Sequence, residues 1–150
     1  MSTDNDLIKL YSTRILGLAA DIPHQTRLGA PDASAKRRSP LCGSTVTVDI
    51  TVQDGKIAAF GQDVKACALG QASAALLGHN VIGRSEAEIQ QGRDELLEML
   101  KSGGPTPAAP FDGLEVLGPA AEYKNRHMSI MLAFDATLEA FAAARDAKSA

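Results

Sequence analysis

A chain of 150 residues with 45% apolar side chains is long enough for one core, and residues 1–150 are expected to form a single domain. A formal charge of −3 argues against nucleic acid as a partner, and no apolar run approaches the length of a membrane span. Two cysteines are too few for a disulfide scaffold, and the N-terminal MSTDNDLIKLYSTR carries acids and no apolar signal block, so a cytoplasmic location is expected.

Thr3, Asp4 and Asn5 are suitable caps for a first helix, in which Leu7, Leu10 or Tyr11, Ile15 and Leu18 recur at helical spacing and which should end between Ala20 and Pro23. Residues 24–41 mix Gly, Pro and Ser with the basic triplet Lys36, Arg37 and Arg38, and read as a loop crossing the surface. Val46, Val48, Ile50 and Val52 then alternate with Thr47, Asp49 and Thr51, the period of a strand with one buried face. Asp54-Gly55 is a favoured two-residue hairpin turn, and a second strand runs from Lys56 toward Val64, with Gly61 marking a bulge or bend.

The segment after Cys67, ALGQASAALLGHNVIG, is helical in pattern and rich in small residues that permit close backbone approach. Cys67 then stands at a helix N-terminus, where unpaired N–H groups favour a thiolate. Ser85 and Glu88 form a capping-box pattern for a short helix, followed by a helical run through Leu96, Leu97 and Leu100. Residues 102–110 are a Pro/Gly loop, and FDGLEVLGP, residues 111–119, is expected on the surface. A final helix carries Met128, Met131, Leu132, Leu138 and Phe141 as an apolar stripe. The expected class is α+β, a small antiparallel sheet packed against several helices.

The hairpin gives the two cysteines a geometric relation. A two-residue loop at Asp54-Gly55 pairs Gln53 with Lys56, and the same pairing carried outward sets Cys42 opposite Cys67. Directly opposed Cβ atoms lie about 4.5–5.5 Å apart, and a bulge at Gly61 would shift the register by one. Three readings of such a pair stand open: half of a soft-metal or iron–sulfur site, a redox pair, or buried structural thiols. His127 is placed to supply nitrogen, or to be an ordinary capping or surface histidine. His79 lies more than two helical turns beyond Cys67, and His24 falls in the first loop. Met128 and Met131 read as core packing, and Asp49, Asp54 and Asp63 as residues of the solvent face and turns. A phosphate-binding loop ending in Lys-Ser/Thr and a GxSxG elbow are both missing from the sequence.

SPLCGS (residues 39–44) and KACALGQASAALL (residues 65–77) resemble the two cysteine segments, close to NPxCGD and GCxISxASASxM, of the U-type iron–sulfur assembly scaffolds: IscU, SufU and the N-terminal domain of NifU. The spacing from Cys42 to Cys67 is similar to that of the SufU-like branch, and the resemblance runs over roughly residues 5–145. It implies the IscU-like fold and a ligand set of three cysteines and an aspartate. Two positions depart from it: Ser44 stands where the aspartate is expected, and RHMS (residues 126–129) puts Ser129 where the third cysteine is expected. Arg126 matches the arginine of that motif, and Met128 takes the position that is histidine in some members.

The function this implies is a divergent scaffold. It would bind iron and sulfide, as a labile iron–sulfur cluster, or Zn2+, weakly through Cys42 and Cys67. His127, Ser44 and Ser129 are weaker candidates for completing the metal site. Cys67 would be the catalytic thiol in the limited sense of a persulfide acceptor, and Arg126 and Lys65 could favour anionic sulfur nearby. A cysteine desulfurase and apo iron–sulfur proteins are the implied partners. Two other readings are a non-cluster-binding interaction module on the same fold, and a sulfur-transfer protein working through Cys67 without metal.

Overall fold

The Val/Thr alternation of residues 45–53 becomes the middle strand of a three-stranded antiparallel sheet, ordered β1 (Ala33–Arg38), β2 (Thr45–Gln53) and β3 (Lys56–Lys65). The computed structural model describes residues 12–41 and 43–149. Thr3, Asp4, Asn5, Leu7, Leu10, Tyr11 and Cys42 lie outside the described residues. Within them, helix α1 (Thr13–Ala20) begins at Ser12, whose hydroxyl accepts from Ile15 N–H, and Ile15 is buried against the core.

Asp54 and Gly55 both take positive φ, 54° and 76°, as a tight primed turn between right-twisted strands requires. The register slips by one residue, but not at Gly61. Val52 pairs with Ile57 and Thr51 with Ala59, so the extra residue is Ala58. Gly61 pairs with Asp49 and serves a close approach: a Cβ there would sit 2.4 Å from the Thr26 carbonyl oxygen.

The span expected as loop contains β1, which pairs with β2 from Ala33↔Ile50 to Arg38↔Thr45. Its sequence, ASAKRR, has little strand propensity of its own, and the ladder offered by β2 decides the outcome. Lys36, Arg37 and Arg38 thus lie on an exposed edge strand, where charge discourages pairing with other chains.

Asp49 corrects a second expectation. Its residue is 0% exposed, because residues 21–32 fold over that side of the sheet. Its carboxylate accepts from Arg27 Nε at 2.7 Å, Arg27 Nη2 at 3.0 Å and Leu28 N–H at 3.0 Å, and from the Ser34 hydroxyl. Burial by itself would raise this carboxyl, but the hydrogen bonds from Arg27, Ser34 and Leu28 outweigh it and hold it below the usual carboxylate range.

The helices cover the other side of the sheet. Helix α4 (His127–Ser149) packs on β1 and β2, α2 (Ala68–Asn80) packs between α1 and α4, and α3 (Glu86–Ser102) packs on α4. The Ser85/Glu88 capping box is present, and one 17-residue helix follows it rather than a short helix and a separate run. Residues 111–119 are not a surface segment. They open a 3-10 stretch (Asp112–Glu122) that buries Leu114, Leu117 and Ala120, while Phe111 meets Phe134 edge-on at 5.4 Å. Among the described residues, no helix is long and apolar enough to cross a membrane.

Asp49→Asn is expected to cost about 1–3 kcal/mol in urea unfolding at neutral pH, through loss of charge-assisted hydrogen bonds to a buried acceptor. Because the folded-state pKa of Asp49 is depressed, its contribution is present above the ordinary carboxylate pKa near ~4 and is lost as pH falls through the lower folded value. The acid limb of the stability–pH profile should therefore be shallower in the Asn variant than in the parent protein.

Candidate functional site

The site is assembled where β3 hands over to α2. Lys65 ends the strand, and Cys67 takes an extended conformation as the N-cap of α2, with no side-chain capping hydrogen bond to the first turn. Small residues then let this helix meet the start of α4 backbone to backbone. A Cβ on Gly70 would lie 2.7 Å from Ser129 Oγ and 3.1 Å from Ser129 O, and Ser73 Oγ donates to the Ile130 carbonyl at 2.7 Å. The contact leaves Cys67 Sγ 3.4 Å from Ser129 Oγ, and Ser129 Oγ in turn donates to Ser44 Oγ at 3.1 Å. Ser44 is carried by the loop before β2, closed by hydrogen bonds from Ser39 N–H to Ser44 O and from Gly43 N–H to Ser39 O, both 2.8 Å.

Three of the positions singled out in the sequence, Ser44, Cys67 and Ser129, therefore meet. Ser129 is 1% and Ser44 5% exposed, while the Cys67 residue is half-buried. The arrangement is a thiol at the mouth of a short hydroxyl chain. Such a set suits sulfur chemistry better than metal binding. A serine hydroxyl is a far weaker acid than a thiol, and Ser129 here spends its proton on another hydroxyl. Soft metals and iron–sulfur clusters want several thiolates or imidazoles, and among the described residues no group of three or more His, Cys, Asp or Glu is placed to hold a metal ion. The hydroxyls of Ser44 and Ser129 do not fit as cluster ligands.

His127 opens α4, and its Nε2 lies 3.2 Å from Ala120 O and 3.1 Å from Ala121 O. That nitrogen is occupied in fastening the end of the 3-10 stretch to the helix start. Met131 is buried as expected, but Met128 is 42% exposed. It falls on the outer side of the first turn of α4, opposite the inward-facing Ser129–Met131 run. Lys65 is exposed and Arg126 half-buried, and neither forms an ion pair among the described residues. His79 is exposed in the last turn of α2, and the His24 ring stands edge-on to Phe60 at 6.1 Å.

One surface feature beside the site had no sequence signal. Leu41, Lys101, Lys124, His127 and Met128 line a hollow of about 480 Å³. They come from the loop before β2, the end of α3, a second 3-10 turn (Lys124–Arg126) and the start of α4, so no periodicity connects them.

No family model and no curated protein sequence matches the chain. Solved structures do. An N-terminal NifU-like protein from Brucella abortus, described as nitrogen-fixing, superposes with a TM-score of 0.91 at 40% identity, covering 94% of this chain and 98% of that one. A protein from Fervidobacterium islandicum AW-1, whose name gives it provisionally as an iron–sulfur cluster assembly scaffold for the SUF system, superposes at 0.78 with 18% identity, covering 89% and 98%. A hypothetical protein superposes at 0.78 with 25% identity over the same shares. The scaffold fold expected from the sequence, a small antiparallel sheet under several helices, is the observed fold.

Gly70→Ala tests the contact that builds the site. The added methyl meets backbone as well as side-chain atoms of Ser129, so α2 has to shift away from α4. The expected overpacking cost is about 1–3 kcal/mol, against a helix-propensity gain of about 1 kcal/mol. The denaturation midpoint should fall, and Cys67 should react faster with a disulfide reagent in the folded state.

Proposed function

Because the chain belongs to the NifU-like family, we propose that it works in iron–sulfur cluster assembly through the Cys67 thiol, accepting sulfur from a cysteine desulfurase and passing it to a partner. The observation that carries this reading is the donor set: one accessible thiol backed by the hydrogen-bonded hydroxyls of Ser129 and Ser44. The transfer needs no metal. The Cys67 sulfur attacks the outer sulfur of the desulfurase persulfide, a new S–S bond forms on Cys67, and the donor S–S bond breaks to release the desulfurase thiolate. The same displacement, run with a partner thiol as attacker, returns Cys67 and delivers the sulfur to an apo iron–sulfur protein or its loading factor. Ser129 Oγ, 3.4 Å from Cys67 Sγ, can accept from the resting thiol while its own proton goes to Ser44 Oγ.

A labile iron–sulfur cluster or Zn2+ held by Cys42 and Cys67 would have at most two thiolates from this chain and an engaged His127 imidazole, so its retention is weak. The SufU-like affiliation rests on the Cys42-to-Cys67 spacing in the sequence. A reducing cytoplasm suits a protein that works through a free thiol. The other reading, an interaction module without sulfur or metal chemistry, draws on the exposed Leu41 and Met128 beside the site.

The test is incubation of the reduced protein with a cysteine desulfurase and cysteine under anaerobic conditions, followed by intact-mass and peptide analysis. One added sulfur atom on Cys67 is expected, absent in Cys67→Ala and retained in Cys42→Ala. Iron, zinc and acid-labile sulfide in the same samples should stay far below one cluster per chain. Stoichiometric iron and sulfide that disappear in Cys42→Ala would replace this reading with cluster scaffolding. Neither sulfur nor metal on a folded protein would leave the interaction module.

A further inference from the structure

We infer that the hollow beside the site is a docking surface for an acidic segment of a partner protein, one apolar side chain of which enters between Leu41 and Met128. The proposal goes beyond sulfur transfer and holds whether or not Cys67 carries sulfur. Leu41 and Met128 are 68% and 42% exposed, large apolar side chains that flank one opening of about 480 Å³. That volume exceeds the bulk of a leucine or phenylalanine side chain and leaves room for flanking backbone. A second hollow of about 210 Å³ shares Lys101, His127 and Met128 with the lining of the first.

Charge decides the chemistry of the occupant. Arg38, Lys101 and Lys124 rim the two hollows, are exposed, and form no ion pair among the described residues. Asp135, the one acid among the described residues lining either hollow, is already held by Arg93 at 2.9 Å. Three cations with no ion pair among the described residues, set around an apolar opening on a chain of net charge −3, make a local positive field that an acidic peptide complements. A nucleic acid would be expected to find aromatic stacking platforms, and the residues lining both hollows include no Phe, Tyr or Trp. An exposed apolar pair ringed by cations has instead the make-up of a small protein-binding patch, with an apolar anchor and a polar rim.

The test uses a short fluorescein-labelled peptide of Asp and Glu flanking two leucines, followed by fluorescence anisotropy at low and physiological salt. Controls are the same peptide with Lys for its acids, the same peptide with Ser for its leucines, and a single-stranded oligothymidylate of equal charge. The acidic leucine peptide should bind, with amide NMR shifts centred on Leu41, Lys101, Lys124 and Met128. The triple variant Arg38→Glu, Lys101→Glu, Lys124→Glu should weaken it by about tenfold or more, and Leu41→Ser should weaken it at unchanged salt dependence. Lys56→Glu, at the far end of β3, should leave binding unchanged. All substituted side chains are exposed, and circular dichroism checks that each variant is folded. Absence of binding, equal binding of the Lys or Ser peptide, tighter binding of the oligothymidylate, or indifference to the triple charge reversal would each overturn the proposal.

Discussion

The close seating of α2 against the first turn of α4 is the constraint on which the site depends. It requires hydrogen at the α-carbon of residue 70, because a methyl there would collide with Ser129. It is then locked by a buried hydrogen bond from Ser73 to the Ile130 carbonyl. Both features follow from the small-residue composition of GQASAA, and both act within two turns of Cys67. A helix start carried by a strand end and clamped this way holds its first residue in place without the side-chain cap that Cys67 does not provide. The sulfur is therefore positioned by backbone packing, and its side chain stays free for chemistry.

Hydroxyls at residues 44 and 129, where the resemblance leads one to expect a carboxylate and a thiol, change what such a site holds. Ser129 and Ser44 are joined by a hydrogen bond, so neither hydroxyl is a bare ligand waiting for a cation. A buried thiolate or carboxylate without its metal would be an uncompensated charge, costly in a site this enclosed. Serine removes that cost and keeps the polar contact to Cys67. The substitution is thus compatible with a folded protein in the absence of metal, and it narrows the reactive inventory of the described site to one sulfur.

What could be read from sequence was local. The Asp54-Gly55 turn, the Ser85/Glu88 box and the helix after Cys67 each depend on residues within a few positions, and each is present as expected. The family-like segments at residues 39–44 and 126–129 also marked Ser44 and Ser129, which meet Cys67 in space. What failed was tertiary. Strand β1 has an unremarkable sequence and exists because β2 offers it a ladder. Asp49 sat on the polar side of a perfect alternation, and only the fold of residues 21–32 buries it. Residues 111–119 were expected on the surface, yet Leu114 and Leu117 are core. The slip at Ala58 was assigned to Gly61 because glycine is the usual signal for a bulge, whereas this glycine makes room for a crossing carbonyl.

The two sides of the sheet divide the work. On one, Asp49 gathers Arg27, Ser34 and the Leu28 amide into a polar clamp that ties the long connection to β2. On the other, α4 lies across β1 and β2, so its N-terminal residues emerge beside the loop that carries Ser44. The first turn of α4 thereby serves two surfaces at once. Ser129 turns inward to the thiol, while Met128, one residue earlier, turns outward to the basic hollow. Because successive residues of a helix point about 100° apart, the side-chain contacts of these two positions can change independently. A partner held at the outer position would stand within one helical turn of the residue that touches the sulfur, which joins recognition and chemistry through a single rigid element.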